Sequence, residues 1–189
     1  MHVGNSLEYL HELLGHSQVV RHLKNETKVE YYYRKKFLLM LFSKRDRVNA
    51  YIVIPLTEDF KPIIDDADDK KFHVGKQTFF AKAPFEYDVV SSNQIQYYIE
   101  SKEAADKRFH LSYYAGWVNY GYNYNSNIDE AKYVFIYYKS LVMDDEEKNI
   151  INKKKVRSNV YPNFYGVGEL KLAIITEALL TEKYFKQYF

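Results

Sequence analysis

The chain has 189 residues, 47% of them hydrophobic and 17% aromatic, which is enough apolar material for a packed core and excludes a disordered or fibrous chain. Its 27 basic and 25 acidic residues nearly cancel to +2, so bulk charge gives no drive toward nucleic acid. No cysteine is present, which removes disulfides and thiolate zinc sites and fits a reducing, cytoplasmic setting.

In chain order, the pattern predicts a first helix from Ser6 to about Lys24, capped by Asn5 or Ser6, with Leu7, Leu10 and Leu14 on one face. Gly15 interrupts it and can end a first piece, with Ser17 opening a second helical piece. "VEYYYRKKFLLMLFS" and "VNAYIVI" then read as a hairpin about the turn-like Lys44–Arg47, stopping at Pro55. Val48, Ala50, Ile52 and Ile54 are assigned to one face of its second strand.

A polar loop from Glu58 to Lys71 leads to a third strand, Phe72–Lys82, closed by Pro84. "SSNQIQYYIESKEAADKR" reads as a helix, with Ser91 and Gln94 at capping-box spacing and a stripe of Ile95, Tyr98, Ile99 and Lys102. Three strands follow, about Phe109–Ala115, Trp117–Tyr124 and Ala131–Ser140, with Asn123–Asn127 as a turn. A helix over Asp144–Lys155 runs acidic to basic, as its dipole favours. The last helix, Glu169 to about Tyr184, is apolar almost all round and is expected to be buried.

This order predicts an α+β fold: a mostly antiparallel sheet of about six strands, with N-terminal, central and C-terminal helices packed on it. No linker divides residues 1–189, so one globular domain is expected. The longest apolar run, Phe37–Phe42, is too short to span a bilayer, and "MHVGNSLEYL" lacks the pattern of a signal peptide, so no membrane association is expected.

His11-Glu12-Leu13-Leu14-Gly15-His16 resembles the signature of the dipeptidyl-peptidase III family of zinc peptidases. That resemblance implies His11 and His16 as zinc ligands and Glu12 as the base that activates water, the core of a metal-dependent hydrolase. On a regular helix, however, ligands at i and i+4 lie about 40° apart, whereas the i, i+5 spacing here sets them about 140° apart. The family's later Glu-Glu-x-x-Ala-Glu/Asp motif is matched in "SKEAAD" only by Ala105 and Asp106. "LHELLGHSQ" also resembles the Leu-Gly-His-Ser segment of tyrosine recombinases, which implies a phosphate-contacting histidine. Neither the upstream catalytic basic residues nor a tyrosine near Asn25 accompanies it. The residues themselves read as an amphipathic helix, with Leu7, Leu10, Leu13 and Leu14 inward and His11 and Glu12 solvated.

"DDADDKK" (Asp65–Lys71) gathers carboxylates but lacks the glycine and final glutamate of a calcium loop, and reads as solvated. "HLS" at His110 resembles half of a two-histidine phosphoesterase, which implies a phosphodiesterase centred on His110. The His-Val-Gly segments at His2 and His73 lack the second hydroxyl.

In "WVNYGYNYNSN", strand alternation puts Val118, Tyr120, Tyr122 and Tyr124 on one face, a ladder for stacking bases or anchoring a partner. Basic residues accompany aromatics at Arg34, Lys35 and Lys36, with Lys44, Arg45 and Arg47 nearby, and again at Lys153, Lys154, Lys155 and Arg157. These features point to a non-catalytic intracellular binding protein, without cofactor, engaging a protein or single-stranded nucleic acid through aromatic and basic surface. Self-association is compatible with the same surface. Composition points by association to a viral or mobile-element accessory protein.

Overall fold

In a computed structural model the described residues are 2–65, 71–76, 86–91, 96–103, 110–124 and 161–189. They form an antiparallel sheet with helices on it, the α+β architecture expected, but with eight strands in the main sheet rather than six. The predicted strand Ala131–Ser140 and helix Asp144–Lys155 lie outside the described residues, as does most of the stretch from Phe72 to Lys82.

Helix α1 (Leu7–Leu14) begins where the Ser6 side chain accepts the Tyr9 N–H and ends at Gly15, whose φ of 73° suits a residue without Cβ. The expected second helical piece is instead strand β1 (Val19–His22). Strands β2 (Lys28–Arg34), β3 (Phe37–Lys44) and β4 (Arg47–Pro55) continue the meander. "VEYYYRKKFLLMLFS" therefore supplies two strands, turned at Lys35–Lys36. The Arg45–Asp46 turn holds both residues at positive φ (52° and 59°), the twist that lets a two-residue hairpin loop close.

A register shift between Phe42 and Ser43 leaves Asn49 as an extra residue on β4. Ala50, Ile52 and Ile54 stay on one face, whereas Val48 turns to the other and packs under α1.

Short strands β5 (Ile63–Asp65) and β6 (Lys71–His73) form a separate two-stranded sheet. Strands β7 (Glu86–Ser91), β8 (Gln96–Glu103) and β9 (Ser112–Val118) complete one half of the main sheet. The described part of the expected central helix is thus strand β8, and the pairs Tyr98↔Trp117 and Ile99↔Gly116 fix its register. The sheet's centre is β10 (Phe164–Gly168), seated between β4 and β9 in the order β1-β2-β3-β4-β10-β9-β8-β7.

The expected long last helix divides into α2 (Leu172–Ala178) and α3 (Glu182–Tyr188). The chain is extended at Leu179, so both Leu179 and Leu180 enter the core, and Thr181 caps α3 by accepting the Tyr184 N–H. The carbonyls that the break exposes are answered by side chains. Ala178 accepts from the Tyr31 hydroxyl at 2.7 Å and from Arg21 at 3.3 Å, and Glu177 accepts from Arg21 at 3.3 Å. Burial pushes the Tyr31 hydroxyl up to about 12, against the opposing pull of Arg21.

One sheet face, with Leu38, Met40, Phe42, Ala50, Ile52, Ile54, Tyr114 and Phe164, packs against α2 and the leucines after it. The opposite face carries α1 over Tyr32, Leu39, Leu41 and Val48 at one side, and Val74 beside Tyr98, Trp117 and Tyr165 at the other. No helix among the described residues is long and apolar enough to cross a membrane.

Candidate interaction surface

The histidine string is a tether between α1 and the sheet. Glu30 is 3% exposed on β2, and its Oε2 accepts from His11 Nε2 at 2.8 Å and from the Tyr32 hydroxyl at 2.6 Å. Its Oε1 pairs with Lys28 Nζ at 2.8 Å. Burial alone would raise this carboxyl, but the hydrogen bonds from Lys28, Tyr32 and His11 outweigh it and hold Glu30 below its ordinary range. The same bond pushes the Tyr32 hydroxyl upward, after burial as the larger cause. His11 is thus half-buried and engaged rather than solvated, whereas Leu13 is 62% exposed rather than inward.

Gly15 closes the helix by donating its N–H to the His11 carbonyl at 2.8 Å, and His16 lies past that end, exposed. Glu12 is exposed on α1, and His110 is exposed just before β9. Among the described residues, which include all six histidines, no three His, Asp or Glu side chains gather to hold a metal ion.

The tyrosine ladder is not formed. Strand β9 ends at Val118, and the chain turns with Gly121 N–H donating to the Val118 carbonyl and Tyr122 N–H to the Pro55 carbonyl at 2.7 Å. Tyr120 goes to the α2–α3 face, stacked on Phe185 at 4.9 Å, and its hydroxyl accepts the Leu180 N–H at 3.3 Å. Burial raises that hydroxyl's pKa.

Tyr124 goes to the opposite face. Its hydroxyl donates to the Phe60 carbonyl at 2.6 Å, and its ring lies where a Cβ on Gly75 would meet it at 2.4 Å. Burial first, then neighbouring Tyr122, Asp59 and Glu58, push it up to about 12. Tyr122 meets Tyr124 edge-on at 4.9 Å, and burial followed by Glu58 raises its hydroxyl. Because the strand stops before the repeat does, alternation places these rings wrongly.

The basic residues are likewise divided. Arg34 donates to the Leu14 carbonyl and, at 2.9 Å, to the Tyr33 carbonyl, so it closes the end of α1. Lys36 pairs with Asp59, whose carboxyl is held down by the hydrogen bonds from Lys36 and Thr57. Lys35 is exposed in its turn. Lys153, Lys154, Lys155 and Arg157 lie outside the described residues.

What the sequence did not indicate is a groove of about 760 Å³ on the sheet face opposite α2 and α3. Leu39, Tyr51, Val53, Val167 and Tyr113 form its floor, drawn from β3, β4, β10 and β9. One wall is the end of α1 at Leu14. Another carries Phe37 stacked on Phe60 at 4.8 Å, with Pro62 and Ile63 beside them.

The N-terminal residues His2–Gly4 close one end. They are held there because Gly4 N–H donates to the Val48 carbonyl at 2.7 Å and Val48 N–H to the Asn5 carbonyl at 3.0 Å. Arg47, Gly4 and Glu169 also line a recess of about 360 Å³ that carries Lys44, Arg45 and Asn49. The only sequence signal for the floor is the second face of β4, where Tyr51 and Val53 alternate with the buried Ala50, Ile52 and Ile54.

No family model, curated protein or solved structure matches this chain.

Proposed function

We propose that this is a non-catalytic binding protein that engages a protein partner through the groove between α1 and the β5–β6 sheet. The observation that carries the reading is an apolar floor spanning four strands that opens at one end into a cationic recess. Monomeric proteins rarely leave a large contiguous apolar surface without use. Half-buried tyrosines on a rigid sheet supply contact area at small entropic cost. The inward-turned hydroxyls of Tyr120 and Tyr124 and the engaged Arg34 and Lys36 weigh against the base-stacking alternative, because those groups already have partners.

Titration with single-stranded DNA and RNA at two salt concentrations separates the two partner classes. The groove reading expects weak binding that Val53→Arg does not alter. Tight binding that falls steeply with salt and is lost in Tyr122→Ala would transfer the function to nucleic acid.

A further inference from the structure

We infer that the groove takes an extended apolar peptide segment of a partner protein, with carboxylates at the end that enters the Lys44–Arg45–Arg47 recess. This inference rests on the groove being the binding site. It specifies the chemistry of the occupant.

The charge at the recess is one-sided. Arg45 and Arg47 are exposed, and no carboxylate among the described residues pairs with either. Lys44 Nζ donates to the Asn25 carbonyl at 3.1 Å and pairs with Glu26 at 3.4 Å, a side chain 77% exposed to water. Among the described residues Glu169 is the single carboxylate lining the recess, and it is turned to Asn49, whose Nδ2 donates to it at 3.4 Å. An apolar groove that ends on guanidinium groups with no carboxylate partner among the described residues favours an anion at that end, since Arg presents a fork of donors matched to carboxylate. Glu169 at the junction opposes an anion there, but Lys44, Arg45 and Arg47 line the same recess and outweigh its single charge.

The dimensions fit a short segment of chain. Along β4 the groove runs from Val53 past Tyr51 to Arg47 at the recess, roughly 20 Å, which about six residues of extended peptide span at about 3.3 Å each. The hairpin turn fixes the backbone at Arg45, and the bulge at Asn49, whose carbonyl accepts the Glu169 N–H at 2.8 Å, brings Arg47 and Glu169 to the same rim. The groove is open along its length, so a small molecule would remain largely in water. A segment of a larger protein covers the opening with its own surface.

The full chain is titrated with two dyes, anilinonaphthalene sulfonate, apolar and anionic, and Nile red, apolar and uncharged. The expected result is that Arg45→Glu with Arg47→Glu weakens the sulfonate dye about tenfold or more. Nile red should be unchanged by that pair. Ile63→Asp, at a wall position 57% exposed and so tolerant of charge, should weaken both dyes without lowering the melting temperature.

Peptides acetyl-Leu-Val-Phe-Leu-Asp-Asp and acetyl-Leu-Val-Phe-Leu-Lys-Lys then compete with the sulfonate dye, with decanoate as a third competitor. Displacement by the Asp-ended peptide at about a tenth of the concentration the Lys-ended one requires supports the inference. Equal displacement by both peptides, or a sulfonate dye indifferent to the charge reversal, overturns the acidic end and leaves the groove standing. Displacement by decanoate at concentrations where neither peptide acts overturns the peptide occupant. If Ile63→Asp and Val53→Arg leave both dyes untouched, the groove itself is not the binding site.

Discussion

Replacing Glu30 by Gln keeps the shape of the side chain and removes its charge, which makes it the sharpest probe of how α1 is held. The carboxylate receives three contacts, from His11, Tyr32 and Lys28. A hydrogen bond to a charged group is worth about 1.5–3 kcal/mol when its partners are dry. Here His11 and Lys28 are 36% and 30% exposed, so both rehydrate once the charge is gone, and their share falls toward the surface-pair value. The Tyr32 hydroxyl is fully buried but still finds the amide oxygen.

The expected loss for Glu30→Gln is therefore about 1–2 kcal/mol. Glu30→Leu, which leaves the Tyr32 hydroxyl without an acceptor, costs about 2–4 kcal/mol. The pH dependence follows from sign. A carboxyl whose folded pKa lies below its ordinary 4.5 contributes its full stabilisation above 4.5 and loses it as pH falls through the folded value. The gap between the natural chain and Glu30→Gln should be at full size near pH 7 and narrower in acid well below pH 4.5, in urea melts followed by circular dichroism. A gap of the same size at both pH values, or none near neutrality, would refute this account of the tether.

His11→Ala should cost about 1 kcal/mol in the same melts while His16→Ala costs nothing, and neither should change the metal content of protein purified without a tag. One zinc per chain, lost in His16→Ala, would restore the peptidase reading. Deleting Leu172–Phe189 strips Leu172, Ile175, Leu179 and Leu180 from the core, at about 1.5–3 kcal/mol each, and should abolish a cooperative melt. Glu26→Gly should raise stability by about 0.5–1 kcal/mol, because Glu26 sits at φ 60° next to Asn25 at 58°, where an Asn-Gly pair is preferred. Gly75→Ala should lower the melting temperature and free the Tyr124 hydroxyl, seen as a downward move of its titration from about 12.

The meander β2–β3–β4 was legible because long runs of strand formers meet at charged turns, although the Lys35–Lys36 turn was hidden inside one run. Strand β8 was misread because both its faces are buried. Tyr97 and Ile99 face one core, Tyr98 the other, so period two vanished and a chance helical stripe with capping-box spacing took its place. Strand β10 carries Gly166 and Gly168, residues that depress strand propensity. They stand there because a Cβ would meet the Tyr51 carbonyl at 2.5 Å and the Ala50 Cβ at 2.1 Å. The groove was illegible for a related reason. Its floor is assembled from four strands, one of them β10, and its recess depends on a bulge that no local pattern announces.

The position of β10 also governs how the chain reaches this state. Strands β1–β4 pair with their sequence neighbours and β7–β9 do the same, so each half assembles from local loops. Among the described strands, β10 alone joins β4 to β9, and it lies at Phe164–Gly168, far downstream of Pro55. During synthesis the N-terminal half leaves the ribosome with β4 as an open edge and waits for that late segment. Closure of the sheet then carries the entropic cost of a long loop, which slows folding and exposes a sticky edge meanwhile. A polypeptide arranged this way is expected to depend on chaperone protection in the interval before its last segment emerges.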